Sequence, residues 1–176
     1  SKLKGEKSVI RTDNSYIIRT DWLMGCFLKD KGFVRTMYDH IKDGENEIVA
    51  PVKWKGAPTY TYNLAESMYY LLSYAKPGLY HQQSEGTTSY KGVAKKMIEL
   101  LGVGDRVKAK SVPVNTHSCK LVNKKTTEKG FNYMLKWEDA LASYVDEIGQ
   151  YEKFADKAVV IVGSDKNDHL WDAFFK

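Results

Sequence analysis

At 176 residues the chain has the length of one ordinary domain with room for a short appendage. Its 43% hydrophobic and 28% charged residues supply a core and exclude a disordered chain; the net charge of +5, carried by scattered lysines, reads as a solvated surface. No basic helix or zinc spacing supports nucleic-acid binding, no apolar run approaches membrane-spanning length, and no secretory signal is visible.

Cys26 and Cys119 are lone thiols outside any CxxC motif, which predicts a reducing, cytoplasmic compartment. Residues 2–7 are polar and read as the end of a helix. Residues 15–23, with Ile17, Ile18, Trp22 and Leu23 among polar neighbours, predict a strand leaving into a loop at Gly25. Phe33, Val34, Met37 and Ile41 recur at helical spacing over 32–41, and Asp43-Gly44 stops that helix. Residues 47–52 form a short predicted strand.

Asn63-Leu64-Ala65-Glu66 resembles a capping box, in which Asn63 accepts from an amide of the first turn and Glu66 reaches back. The helix it opens puts Leu64, Met68, Leu71, Leu72 and Ala75 on one face and ends at Pro77-Gly78. Residues 79–82 read as a strand. Residues 89–101 make a second amphipathic helix with Val93, Ala94, Met97, Ile98 and Leu101 inward and Gly102 closing it. Residues 106–114 alternate as a strand. Residues 138–148 are the cleanest helix, with Trp137, Leu141, Tyr144, Val145 and Ile148 in a stripe.

Strands alternating with helices predict an α/β fold in which crossover helices cover a sheet. The domain reading is 1–150 for this unit and 151–176 for a tail of unknown role, in which residues 158–163 read as an added strand or as the first strand of a truncated further domain.

Five motifs stand out: Lys2 with Lys4-Gly5-Glu6; Arg19-Thr20-Asp21-Trp22-Leu23-Met24-Gly25; Gly56-Ala57-Pro58-Thr59-Tyr60-Thr61 before Leu64-Ala65; Gly78-Leu79-Tyr80-His81; and Trp137-Glu138-Asp139-Ala140-Leu141. Taken singly each has a plain reading: a solvated terminal lysine, a strand end with a packing Trp, a Gly-Pro turn, a strand, a helix start. In this order and spacing, with Phe33 to Met37 between them, they resemble the C-terminal half of the dTDP-4-dehydrorhamnose reductase family, extended short-chain dehydrogenase/reductases that act on sugar nucleotides. The resemblance covers roughly residues 1–148.

The resemblance implies the C-terminal substrate-binding part of an extended Rossmann-type fold that lacks the N-terminal dinucleotide-binding half. It makes Lys2 the lysine of a Tyr-x-x-x-Lys pair whose Tyr lies before Ser1. That lysine would bond the nicotinamide ribose and depress the Tyr pKa while hydride reaches a 4-keto-6-deoxy sugar. Trp22 would lie beside the sugar, Met24 and Gly25 would shape the same loop, and Thr59 would help form the pocket. NADP or NAD would serve the intact parent, and none would be bound by this chain alone, which has no Gly-x-x-Gly-x-x-Gly turn.

The chain departs from the family pattern in three places. Gly32 stands where Asn is usual, and Lys53-Trp54-Lys55 replaces an Asp-Gln pair. The Arg-Pro of the substrate-contacting stretch is lost around Asn115 to Val122, leaving Lys53, Lys55 or Lys120 as point charges for a pyrophosphate. Three readings follow. The chain is the substrate-binding portion of a reductase joined by an N-terminal Rossmann half, on a separate chain or segment. Alternatively it is a non-catalytic module binding a nucleotide sugar, or a structural assembly element pairing through its last strand.

Overall fold

The computed structural model describes residues 2–25, 30–113 and 121–155. The apolar stripes read from the sequence become the faces of three helices: α2 (Phe33–Lys42) buries Val34, Met37, Tyr38 and Ile41, and α4 (Tyr90–Leu100) buries Val93, Ala94, Met97 and Ile98. The third, α6 (Trp137–Ala155), buries Ala140, Leu141, Tyr144, Val145 and Ile148. The Ser89 hydroxyl caps α4 by accepting from Gly92 N at 3.1 Å. These faces close on Ile48, Ala50, Val107 and Met24 to form the main core.

Two strands enter that core as a parallel pair, β3 (Glu47–Pro51) with β8 (Lys108–Val112), in register from Glu47 opposite Lys108 to Pro51 opposite Val112. A second parallel pair lies outside the main core: β1 (Tyr16–Arg19) with β6 (Gly78–His81), in register from Tyr16 opposite Gly78 to Arg19 opposite His81. Two-residue pairings complete the strands. They are β2 (Leu23–Met24) with β5 (Thr59–Tyr60), parallel, and β4 (Lys55–Gly56) with β7 (Thr88–Ser89), antiparallel.

The expected α/β alternation is present, but the single covered sheet is not. Among the described residues the strands form four separate two-stranded ribbons. The reason is visible in the backbone. The single strand expected over 15–23 breaks into β1 and β2 at Trp22, a non-glycine residue at φ 39°, and Gly25 at φ 141° turns the chain away again.

Helix α3 (Thr61–Tyr74) corrects two further expectations. It starts two residues before Asn63, with no side-chain cap at Tyr60, so the capping box does not form. Asn63 instead sits inside the helix at 5% exposure. Its amide donates to Tyr133 O at 3.1 Å and accepts from Leu135 N at 3.0 Å. Pairing both ends of a buried amide outweighs one exposed cap bond. The buried face is then Asn63, Leu64, Ser67 and Leu71, while Leu72 is 51% exposed.

Helix α1 (Lys2–Val9) and the short α5 (Lys124–Glu128) complete the order; the sequence pattern did not mark α5. Helix α6 runs through position 150 to Ala155. The strand expected over 158–163 lies outside the described residues.

Candidate functional site

The site grows from the ends of β1 and β6. Parallel strands deliver their following loops to the same edge, and ligands of α/β proteins gather at such carboxyl ends. Here Gln82 N bonds Arg19 O at 2.9 Å, so the segments 20–25 and 82–87 leave side by side. Among the described residues, eight buried side-chain polar atoms have no hydrogen-bond partner. Seven of them belong to these two segments and the last residue of β6: Thr20 Oγ1, Asp21 Oδ2, His81 Nε2, both amide atoms of Gln82, Gln83 Oε1 and Ser84 Oγ. Buried polar groups are rarely left unpaired, so a cluster of them at strand ends marks a place built for more than packing.

Helix α1 lies against this edge. Arg19 donates to Glu6 through Nε at 3.0 Å and Nη2 at 2.7 Å, a forked pair that joins the Lys-x-x-Gly-Glu and Arg-Thr-x-Trp motifs. The Arg19 bond holds the Glu6 carboxyl below its ordinary range against a desolvation that opposes it, and His81 adds to the lowering. Lys2, one turn earlier on the same face of α1, brings its positive charge to Asp21.

Asp21 is the least comfortable group of the set. Its Oδ1 accepts from Trp22 N at 3.0 Å, and its Oδ2 is buried without a partner. Burial pushes its carboxyl up, against the Trp22 amide and Lys2, which both favour the charged form.

Trp22 stands on a rim of aromatic rings. It meets Tyr90 edge-on at 4.7 Å and Phe33 edge-on at 5.1 Å; Tyr90 stacks on Phe33 at 3.8 Å and on Trp54 at 4.9 Å. Gly56 makes this arrangement possible: a Cβ there would overlap Asp21 Oδ2 and come within 2.7 Å of Trp22 Cε2. Beyond the rim an open cleft of about 630 Å³ runs between α2 and β3, reaching Phe33, Tyr90, Lys31 and His40.

The other residues singled out from the sequence sit differently. Met24 is 1% exposed and belongs to the core beneath the loop. Gly25 donates its N–H to Asp30 Oδ2 at 3.0 Å, and a Cβ at Gly25 would overlap Thr61 Oγ1. Thr59 is fully buried, and its hydroxyl is used twice within the protein, donating to Ala57 O and accepting from Ser84 N, both at 3.1 Å. It braces β5 against the segment after β6. Lys120 lies outside the described residues. Sequence reasoning missed Asp21, Gln82 and Tyr90 as site groups. A run of three polar residues after a strand, Gln82-Gln83-Ser84, was the available signal.

The described residues include no cluster that could hold a metal ion, and no helix among them is long and apolar enough to cross a membrane.

A family model described as the RmlD substrate binding domain matches residues 1–150. The chain belongs to that family. The chain's RmlD-like fold recurs in solved structures. A dTDP-4-dehydrorhamnose reductase from Bacillus anthracis in complex with NADP superposes with a TM-score of 0.75 at 26% identity, covering 83% of this chain and 53% of that one. An ortholog from Clostridium acetobutylicum also gives 0.75, at 24% identity, covering 84% of this chain and 54% of that one. Among curated proteins, the spore coat polysaccharide biosynthesis protein SpsK of Bacillus subtilis is 29% identical over 155 residues, 84% of this chain and 53% of that protein. A dTDP-4-keto-6-deoxy-D-glucose reductase of Streptomyces niveus is 30% identical over 115 residues, 64% of this chain and 38% of that protein. This RmlD-type chain thus spans about half the length, or less, of the curated relatives it matches.

Proposed function

We propose that the chain is the substrate-binding portion of an NAD- or NADP-dependent reductase that acts on a 4-keto-6-deoxy sugar nucleotide in the cytoplasm, with a dinucleotide-binding half on a separate segment or chain. The observation that carries this reading is the cluster of buried polar atoms without a partner among the described residues at the carboxyl ends of β1 and β6, where the charge of Lys2 acts on Asp21 next to Trp22. Among the described residues the β1–β6 ribbon has no further strand beside it, which supports the second half of the proposal, since parallel strands are at home inside larger covered sheets.

Within this reading each residue has a task. A nicotinamide cofactor supplies hydride when bound. Lys2 would hold the ribose hydroxyls of that cofactor and would stabilise the phenolate of a partner tyrosine, favouring release of the phenol proton to the sugar carbonyl. Trp22 offers an indole to the apolar side of a pyranose. Met24 and Gly25 fix the loop that carries Trp22, and Thr59 holds the opposite wall through Ser84 N. Lys120 and the cleft-lining Lys31 supply positive charge for a pyrophosphate.

Titration calorimetry of the chain with dTDP-glucose and dTDP tests the reading. Binding is expected, weakened at least tenfold by Trp22→Ala. Absence of heat with these and with the UDP and GDP sugars would remove the substrate-binding assignment.

A further inference from the structure

We infer that the Glu6–Arg19 ion pair is the device that positions Lys2, so that both are positioning residues for the site. The role of Lys2 as a catalytic lysine rests on the function proposed above; the geometry of the ion pair does not.

Among the described residues, few other contacts hold helix α1. It buries none of its side chains, and Leu3, Val9 and Ile10 stand in solvent. Among the described residues, the hydrogen bonds that leave α1 for the rest of the protein are the two between Glu6 and Arg19. Beyond the helix ladder, its other bonds, Ser8 Oγ to Lys4 O, Ile10 N to Glu6 O and Thr12 N to Val9 O, stay within the same stretch of chain.

A single contact point would leave a helix free to swivel. A forked one does not: two parallel N–H donors on two carboxylate oxygens fix direction as well as distance. Glu6 lies four residues after Lys2, so both point from the same face of α1. Arg19 is the last residue of β1, and Asp21 follows two positions later in the segment that leaves the strand. Docking Glu6 on Arg19 therefore brings Lys2, one helical turn back, towards the segment that follows β1, where its charge acts on Asp21. His81, in register with Arg19, adds to the lowering of the Glu6 carboxyl. Both partners of the pair are partly exposed, with side chains at 39% and 23%, so the expected effect on stability is small and the effect on orientation is the one to read.

The test is a double-mutant cycle read at Asp21 by carboxyl-carbon NMR titration of the full chain. In the wild-type background Lys2→Met is expected to raise the Asp21 pKa, because a favourable charge leaves. In an Arg19→Met background the same Lys2→Met substitution is expected to change nothing, because Lys2 no longer faces Asp21. Glu6→Met provides a second, independent background with the same expectation. Amide spectra of α4 and α6 check that each variant is folded. An equal Lys2→Met shift in all three backgrounds overturns the inference, and so does no shift in the wild type. Neither outcome bears on whether dTDP-glucose binds, and failure of dTDP-glucose to bind leaves this cycle unaffected.

Discussion

Gly56 and Asp21 show how one small residue and one buried carboxyl share a space. Gly56→Ala would force a methyl group into Asp21 Oδ2 and the Trp22 indole. Such overpacking costs about 1–3 kcal/mol, to be measured by urea denaturation, and should weaken the near-ultraviolet circular dichroism of the Trp22–Tyr90–Phe33 group. Asp21 predicts a pH effect. Its folded pKa is raised above the ordinary value of 3.8, mainly by burial. Its support for the fold is therefore complete below that ordinary value and is lost as pH rises through the raised one. Asp21→Asn should be more stable than wild type near pH 7, and the difference should vanish near about pH 3, where both side chains are neutral. Asp21 could not be picked from the sequence, because its importance comes from Gly56, thirty-five positions away, and from Lys2 on another element.

Helix α6 is fastened by three tyrosine–carboxylate bonds. Tyr38 donates to Glu152 at 3.0 Å, Tyr60 donates to Glu147 at 2.5 Å, and Tyr144 donates to Asp30 at 2.5 Å. The Asp30 carboxylate also accepts from Gly25 N at 3.0 Å and Gly32 N at 2.7 Å, so Tyr144 ties the loop after Trp22 to the helix. Tyr144→Phe should cost about 1.5–3 kcal/mol in urea denaturation, the value of a bond to a charged group. All three phenols are raised, Tyr38 to about 12, chiefly by burial and then by the carboxylate each one faces. Their support holds below the ordinary tyrosine pKa of 10.0 and is lost as pH climbs through the folded values. Stability measured between about pH 9 and 12 should fall, and less steeply in the Tyr38→Phe, Tyr60→Phe, Tyr144→Phe triple variant. The apolar stripes of α2, α4 and α6 were legible because a stripe is local. The rotation of α3 was not: Asn63 turns inward to satisfy Tyr133 O and Leu135 N, partners some seventy residues away.

Across the molecule the packing is uneven. Ile48 and Ala50 place β3 in the main core, Val107 joins it just before β8 and Ala109 of β8 packs against it, whereas no residue of β1 or β6 belongs to it. Protection against amide exchange follows such burial. Hydrogen–deuterium exchange should find the paired amides of β3, β8 and α4 slowest and those of β1 and β6 markedly faster. Adding a dinucleotide-binding half should slow the latter pair selectively, and uniform protection would contradict this two-part structure. The α/β alternation could be read along the chain, but which strand pairs with which could not. A two- to five-residue strand carries no local mark of its partner, and the breaks at Trp22 and Gly25 depend on the loops they meet.

The registers that join Tyr16 to Gly78 and Glu47 to Lys108 carry a kinetic consequence. Each parallel ladder closes across about sixty residues of intervening chain, so neither can nucleate locally. The amphipathic helices form early and cheaply, while the β1–β6 edge must wait for a long loop to close. During that wait its unpaired strands are open to neighbouring chains, which makes slow refolding and losses to aggregation at high concentration the natural cost of this topology.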